Sequence, residues 1–211
     1  MLHFYASISC ARSEDHFSLP QWRASSSLVF ESPADIKSWS VGAYWGQYNR
    51  GRLMHFAVAP WRVHGGWQDG YLVAGNAVYT MAHLPYVPVD LEWDFTVAAH
   101  YGSGQFYELG ALPMFRWTWF PWNNLIDTSL RIGPFGASYT TEISKLEAAD
   151  TKGLHTSRYL NLYMLEWTFA PPERSGWEAF VRIHHRSGIF GLVNDVSGGS
   201  NYVSTGLRFG F

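Results

Sequence analysis

Along residues 90–101 apolar and polar side chains alternate, with Leu91, Trp93, Phe95, Val97, Ala99 and Tyr101 on one face and Asp90, Glu92, Asp94, Thr96 and His100 on the other. A period of two is that of an extended strand, so one face suits hydrocarbon and the other suits water. Residues 107–119 repeat the pattern, with Tyr107, Leu109, Ala111, Pro113, Phe115, Trp117 and Trp119 opposite Glu108, Gly110, Arg116 and Thr118. Pro113 is the weak point of this run, because proline cannot donate to a strand ladder. Residues 127–142, 156–169, 175–187 and 200–211 supply four more candidates. Each is about 10 residues or longer, enough to cross a bilayer when tilted.

The connections alternate in character. Residues 84–89, 120–126 and 170–174 are compact, whereas 143–155 and 188–199 are longer and polar or Gly-rich, with 102–104 the short exception. Short turns at one end and longer loops at the other are the layout of outer-membrane barrels. Upstream, residues 39–48, 52–61 and 69–82 would bring the strand count to nine. Single-chain bacterial barrels have an even number. Residues 52–61 carry Arg52, His55 and Pro60 between Gly-rich stretches, so they are assigned to a long outer loop, at most as a partial hairpin.

Composition sharpens this reading. Only 15% of the 211 residues are charged, against about 25% in soluble domains, while 18% are aromatic. No apolar run approaches the roughly 18 residues of a membrane-spanning helix, and a membrane protein without such helices must be a closed barrel. The expected fold is therefore all-β, an eight-stranded antiparallel transmembrane β-barrel of the bacterial outer membrane. It would occupy residues 38–211, with residues 1–37 as a targeting remnant or periplasmic arm. The rival is a soluble barrel or sandwich with a ligand cavity, against which stands the density of aromatic residues near strand ends. The net charge of -2 gives no electrostatic basis for nucleic-acid binding. Cys10, the single cysteine, excludes an internal disulfide or a multi-cysteine zinc site.

Candidate chemistry lies near the C-terminus. On 177–187 the apolar face reads Trp177, Ala179, Val181, Ile183, His185, Ser187. A His and a Ser two apart share a face, which is the arrangement an imidazole base needs to activate a hydroxyl. Asn201 heads the apolar face of the last strand, where antiparallel pairing would bring it beside His185. It could orient the imidazole, although a neutral amide stabilises an imidazolium less than a carboxylate does. The opposite faces carry Glu108, Arg131, Glu178, Arg182, His184 and Arg186, expected to form a hydrogen-bonded plug in the lumen. Glu142, Glu147 and Asp150 form an acidic run read as a solvated loop, with divalent-cation binding as the alternative. No His-Glu-x-x-His zinc motif and no phosphate-binding glycine motif is present, and no cofactor is expected.

His185, Arg186, Ser187 and Gly188, followed by Gly191, Asn194 and Asn201, resemble the outer-membrane lipid A 3-O-deacylases, the PagL-like family. The likeness is specific over roughly the last 35 residues and looser elsewhere. It implies an eight-stranded barrel with a Ser, His and acid triad facing the membrane near the outer leaflet. It also implies lipid A, or lipopolysaccharide, as partner alongside the membrane lipids. By the same resemblance Asn194 would support the oxyanion, joined by the backbone N–H groups of Gly188 or Ile189, with Gly191 in the supporting loop. The chain departs from the family in having Gly188 after the serine, a later Gly191, a longer loop and Asn201 where an acid is expected. Asp195 is the nearest substitute acid in sequence. Two function classes follow: an esterase removing an acyl chain from lipid A, and a non-enzymatic outer-membrane barrel with a structural or surface-interaction role. Oligomeric state is left open.

Overall fold

The computed structural model describes residues 39–58, 65–150, 155–172 and 176–211. The arm expected over residues 1–37 lies outside them. Eight strands follow in chain order: β1 (Trp39–Asn49), β2 (Trp67–His83), β3 (Val89–Gly102), β4 (Phe106–Trp117), β5 (Asp127–Thr140), β6 (Tyr159–Ala170), β7 (Trp177–Ser187) and β8 (Gly199–Gly210). Each pairs antiparallel with its neighbours, and β1 pairs with β8 to close the barrel. Closure leaves no strand edge, which is what permits a sheet to sit in hydrocarbon.

The alternation of the sequence becomes the two sides of the wall. In β3 Glu92, Asp94, Thr96 and His100 are buried in the lumen, while Phe95 and Val97 lie exposed on the outside. The lumen holds a continuous ion-pair lattice. Glu166 accepts from Arg131 at 3.0 Å, Arg182 at 2.6 Å and Arg208 at 2.9 Å. Arg131 also reaches Glu92, and Arg116 and Arg208 share Glu178. Nearer the loop end, Glu108 is held by His100 at 2.8 Å and His184 at 3.0 Å. The expected lumen plug is thus present, with Glu108, Arg131, Glu178, Arg182, His184 and Arg186 all in it.

Two proline-bearing segments meet at one defect. The β3–β4 register runs unbroken through Pro113, but β4–β5 shifts between Ala111 and Phe115, and β5–β6 shifts between Gly133 and Gly136. Pro113 has no N–H for a continuous ladder, so β5 carries a bulge around Pro134 and Phe135.

Residues 50–66, 103–105, 141–158 and 188–198 connect strands at one end; 84–88, 118–126 and 171–176 do so at the other. Two loop expectations need correction. The described part of 52–61 forms a short helix, α1 (Leu53–Val58), rather than a partial hairpin, and buries Phe56. The acidic run is not a solvated loop throughout. On α2 (Lys145–Asp150), Glu147 turns inward to accept from Arg186 at 2.6 Å and Ser200 at 2.8 Å, and Leu146 packs against the buried cluster that includes Tyr48 and Tyr202. Arg186, at the top of a desolvated lumen, requires a counter-charge, and Glu147 supplies it. Among the described residues no group of three or more His, Cys, Asp and Glu side chains is arranged for a metal ion.

Candidate active site on the outer wall

Strand parity decides which side each candidate occupies. Phe180, Arg182, His184 and Arg186 are buried in the lumen, so His185 and Ser187, of opposite parity on β7, face outward, where they are half-buried. Both sit at the end of β7 that leads into the 188–198 loop. The β7–β8 register places His185 opposite Asn201 and Ser187 opposite Gly199.

His185 Nδ1 and Asn201 Oδ1 are 2.8 Å apart, and Asn201 is 8% exposed. The amide oxygen can only accept, so in this pair the imidazole donates from Nδ1 and neutral His185 keeps its lone pair on Nε2. That is the tautomer a general base acting on a hydroxyl requires. Tyr163 of β6 stands edge-on to the imidazole, with ring centroids 6.1 Å apart. Gly199 makes room beside the Ser187 and His185 side chains. A Cβ there would lie 3.0 Å from Ser187 Cβ and 3.1 Å from His185 Cε1, and would also meet the Arg186 carbonyl.

The loop that follows is tightly wound. Ile189, Phe190, Asn194 and Asp195 all adopt positive φ, as does Gly191, and Val193 N–H donates back to the Gly188 carbonyl at 2.8 Å. Left-handed non-glycine residues are costly and tend to mark functional sites. Asn194 is engaged elsewhere than at Ser187: its Nδ2 donates to Ser157 Oγ at 3.0 Å and to the Tyr159 carbonyl at 2.8 Å, tying the loop to the head of β6. Gly188 N–H faces the Gly198 carbonyl at a long 3.4 Å. Asp195 is exposed in the loop, and the partner at His185 Nδ1 is Asn201.

Sequence reasoning missed Asn161, which pairs with Ser187 across β6–β7. It is 7% exposed although it belongs to the outward face, and its side chain bridges the β5 bulge. Oδ1 accepts from Gly136 N–H at 3.1 Å and Nδ2 donates to the Pro134 carbonyl at 3.3 Å. The amide replaces the ladder bonds that the bulge removes, on a wall where an unpaired backbone group would face hydrocarbon. The legible signal was a lone amide among Tyr159, Tyr163, Leu165 and Trp167 on one strand face.

No family model and no curated protein sequence matches the chain. Among solved structures it is similar to the outer membrane enzyme PagL, with 14% identity and a TM-score of 0.56 over 82% of this chain and 99% of that one. Neisserial surface protein A aligns at 11% identity and a TM-score of 0.46, over 82% of this chain and 97% of that one. LpxR from Salmonella typhimurium aligns at 12% identity and a TM-score of 0.32, over 75% of this chain and 61% of that one. At such identities the likeness to PagL is one of fold, and the fold is that of outer-membrane β-barrel proteins.

Proposed function

We propose that this chain is an esterase of the bacterial outer membrane that removes an ester-linked acyl chain from lipid A in the outer leaflet. The observation that carries the reading is the 2.8 Å contact between His185 Nδ1 and Asn201 Oδ1 on the outer wall, with Ser187 two residues along the same face. In this reading Ser187 attacks the ester carbonyl while His185 Nε2 takes the hydroxyl proton and returns it to the leaving sugar oxygen. Water, deprotonated by His185, then hydrolyses the acyl-serine to the free fatty acid and restores the hydroxyl. Asn201 orients the imidazole. In this reading the N–H of Ile189, or that of Gly188 once it lets go of the Gly198 carbonyl, would meet the developing oxyanion in the loop that Asn194 and Gly191 shape. An outward-facing site suits such a substrate, because the acyl chains stay in hydrocarbon while the ester reaches the protein.

The amide at position 201 favours slow turnover, since losing the carboxylate of a serine triad costs up to about four orders of magnitude. It is also the one observation that favours the second reading, a non-enzymatic barrel with a structural or surface-interaction role. Labelling of detergent-folded protein with a fluorophosphonate probe separates the two. Covalent capture at Ser187 that disappears in His185→Ala supports the esterase; absence of labelling in a folded wild-type barrel argues for the non-enzymatic reading.

A further inference from the structure

Among the described residues, the connection between β1 and β2 meets the outer-wall site at the Gly51 carbonyl. Asn201 Nδ2 donates to the carbonyl oxygen of Gly51 at 2.8 Å while its Oδ1 faces His185 Nδ1. A backbone carbonyl can only accept. The amide nitrogen must therefore face Gly51, which leaves the amide oxygen for His185 and puts the imidazole proton on Nδ1.

Gly51 is itself held in place. Its N–H donates to Asn49 Oδ1 at 2.8 Å, and Asn49 Nδ2 donates onward to the Gly65 carbonyl at 2.9 Å. Asn49 is fully buried at the end of β1. A Cβ on Gly51 would lie 3.0 Å from Asn49 Oδ1 and 3.0 Å from Phe56 Cζ of α1, so a side chain here would push on the clasp or on the Phe56 ring.

We infer that Asn49 is a positioning residue for the site: by clasping Gly51 it fixes the Asn201 amide, and through the amide it fixes the tautomer of His185. The catalytic consequence rests on the esterase reading, whereas the tautomer does not. The same chain of contacts accounts for an amide at position 201. A carboxylate there would set one acceptor oxygen against another, the Gly51 carbonyl, so Asn201 matches this loop where an acid would not.

The test is nitrogen NMR of the imidazoles in histidine-labelled full-length protein folded in detergent, at pH about 8.5, well above the unperturbed histidine value of about 6.5. The His185 signal is assigned by its absence in His185→Gln. Wild type is expected to show the Nδ1–H form. Asn49→Ala should lower that share and reduce kcat on a lipid A ester about five- to tenfold with KM unchanged, the worth of one hydrogen bond. Asn49→Ser, whose hydroxyl can still accept from the N–H two residues on, should fall between the two. Asn201→Asp should hydrolyse no faster than wild type. An Nε2–H wild type, a tautomer indifferent to Asn49→Ala, or an Asn201→Asp variant faster than wild type would each overturn the inference. If Asn49→Ala does not fold, the wild-type tautomer and Asn49→Ser still decide it. A folded wild type without hydrolysis would defeat the esterase reading alone, because the tautomer comparison is read without turnover.

Discussion

His184 and His185 are consecutive residues that belong to opposite sides of the barrel wall. His184 Nε2 lies 3.0 Å from Glu108 Oε1 in the lumen and its Nδ1 3.0 Å from the Tyr44 hydroxyl, while His185 Nδ1 meets Asn201 on the outside. The two substitutions should therefore separate stability from chemistry. His184→Ala strands buried partners and should cost about 1–3 kcal/mol. His185→Ala strands the Asn201 Oδ1 acceptor and should cost less than His184→Ala, while abolishing ester cleavage. Denaturant midpoints of the folded band on gels, set beside hydrolysis rates, read both.

Asn161→Leu tests the bulge. The Gly136 N–H and Pro134 carbonyl would lose their partners on an apolar wall, at a cost of about 1–3 kcal/mol. A midpoint unchanged from wild type would mean that those backbone groups find other partners.

Gly199→Ala tests the juxtaposition of base and nucleophile. The new methyl would clash first with the Arg186 carbonyl and would also crowd Ser187 Cβ at 3.0 Å and His185 Cε1 at 3.1 Å, so it shifts β8 against the end of β7 that carries both side chains. A misplacement on the order of 1 Å costs about a hundredfold in rate. Hydrolysis should fall by about that factor in a barrel that still folds, and undiminished turnover would show that the two side chains do not act together.

Glu147 gives the α2 contact a pH dependence. Burial raises its carboxyl above the ordinary carboxylate range, against the pull of Arg186. With the folded value above the unfolded one of about 4.3, the folded chain holds the extra proton. The stability it contributes is present below the unfolded value and lost as pH rises through the folded one. As pH rises above the unfolded value of about 4.3, the wild-type midpoint should fall relative to that of Glu147→Gln until the folded carboxyl has given up its proton. Parallel profiles would contradict the shift.

Much of the barrel was legible because a lipid-facing wall with a polar lumen enforces strict alternation: Asp90 to Tyr101 could be assigned face by face, and Arg52, His55 and Pro60 kept 52–61 out of the strand count, though not as far as the helix α1. The pairing of His185 with Asn201 followed from the same parity plus antiparallel register. What the sequence did not disclose depends on contacts distant along the chain. The inward turn of Glu147 is dictated by Arg186, 39 residues away. The Gly51 carbonyl contacts Asn201 across 150 residues, and no side-chain pattern announces a backbone acceptor. Asn161 was visible as an anomaly, but its role needed the bulge to be located first.

The assignment of Ser187 and His185 as an outward-facing esterase is tested most directly by mass spectrometry of lipid A from cells expressing wild type, Ser187→Ala or His185→Ala, each shown to be folded in the outer membrane. Wild type should yield lipid A lacking one ester-linked acyl chain, and both variants should leave it intact. Unaltered lipid A in wild-type cells would contradict the esterase assignment, and acyl loss that persists in Ser187→Ala would remove Ser187 from the chemistry.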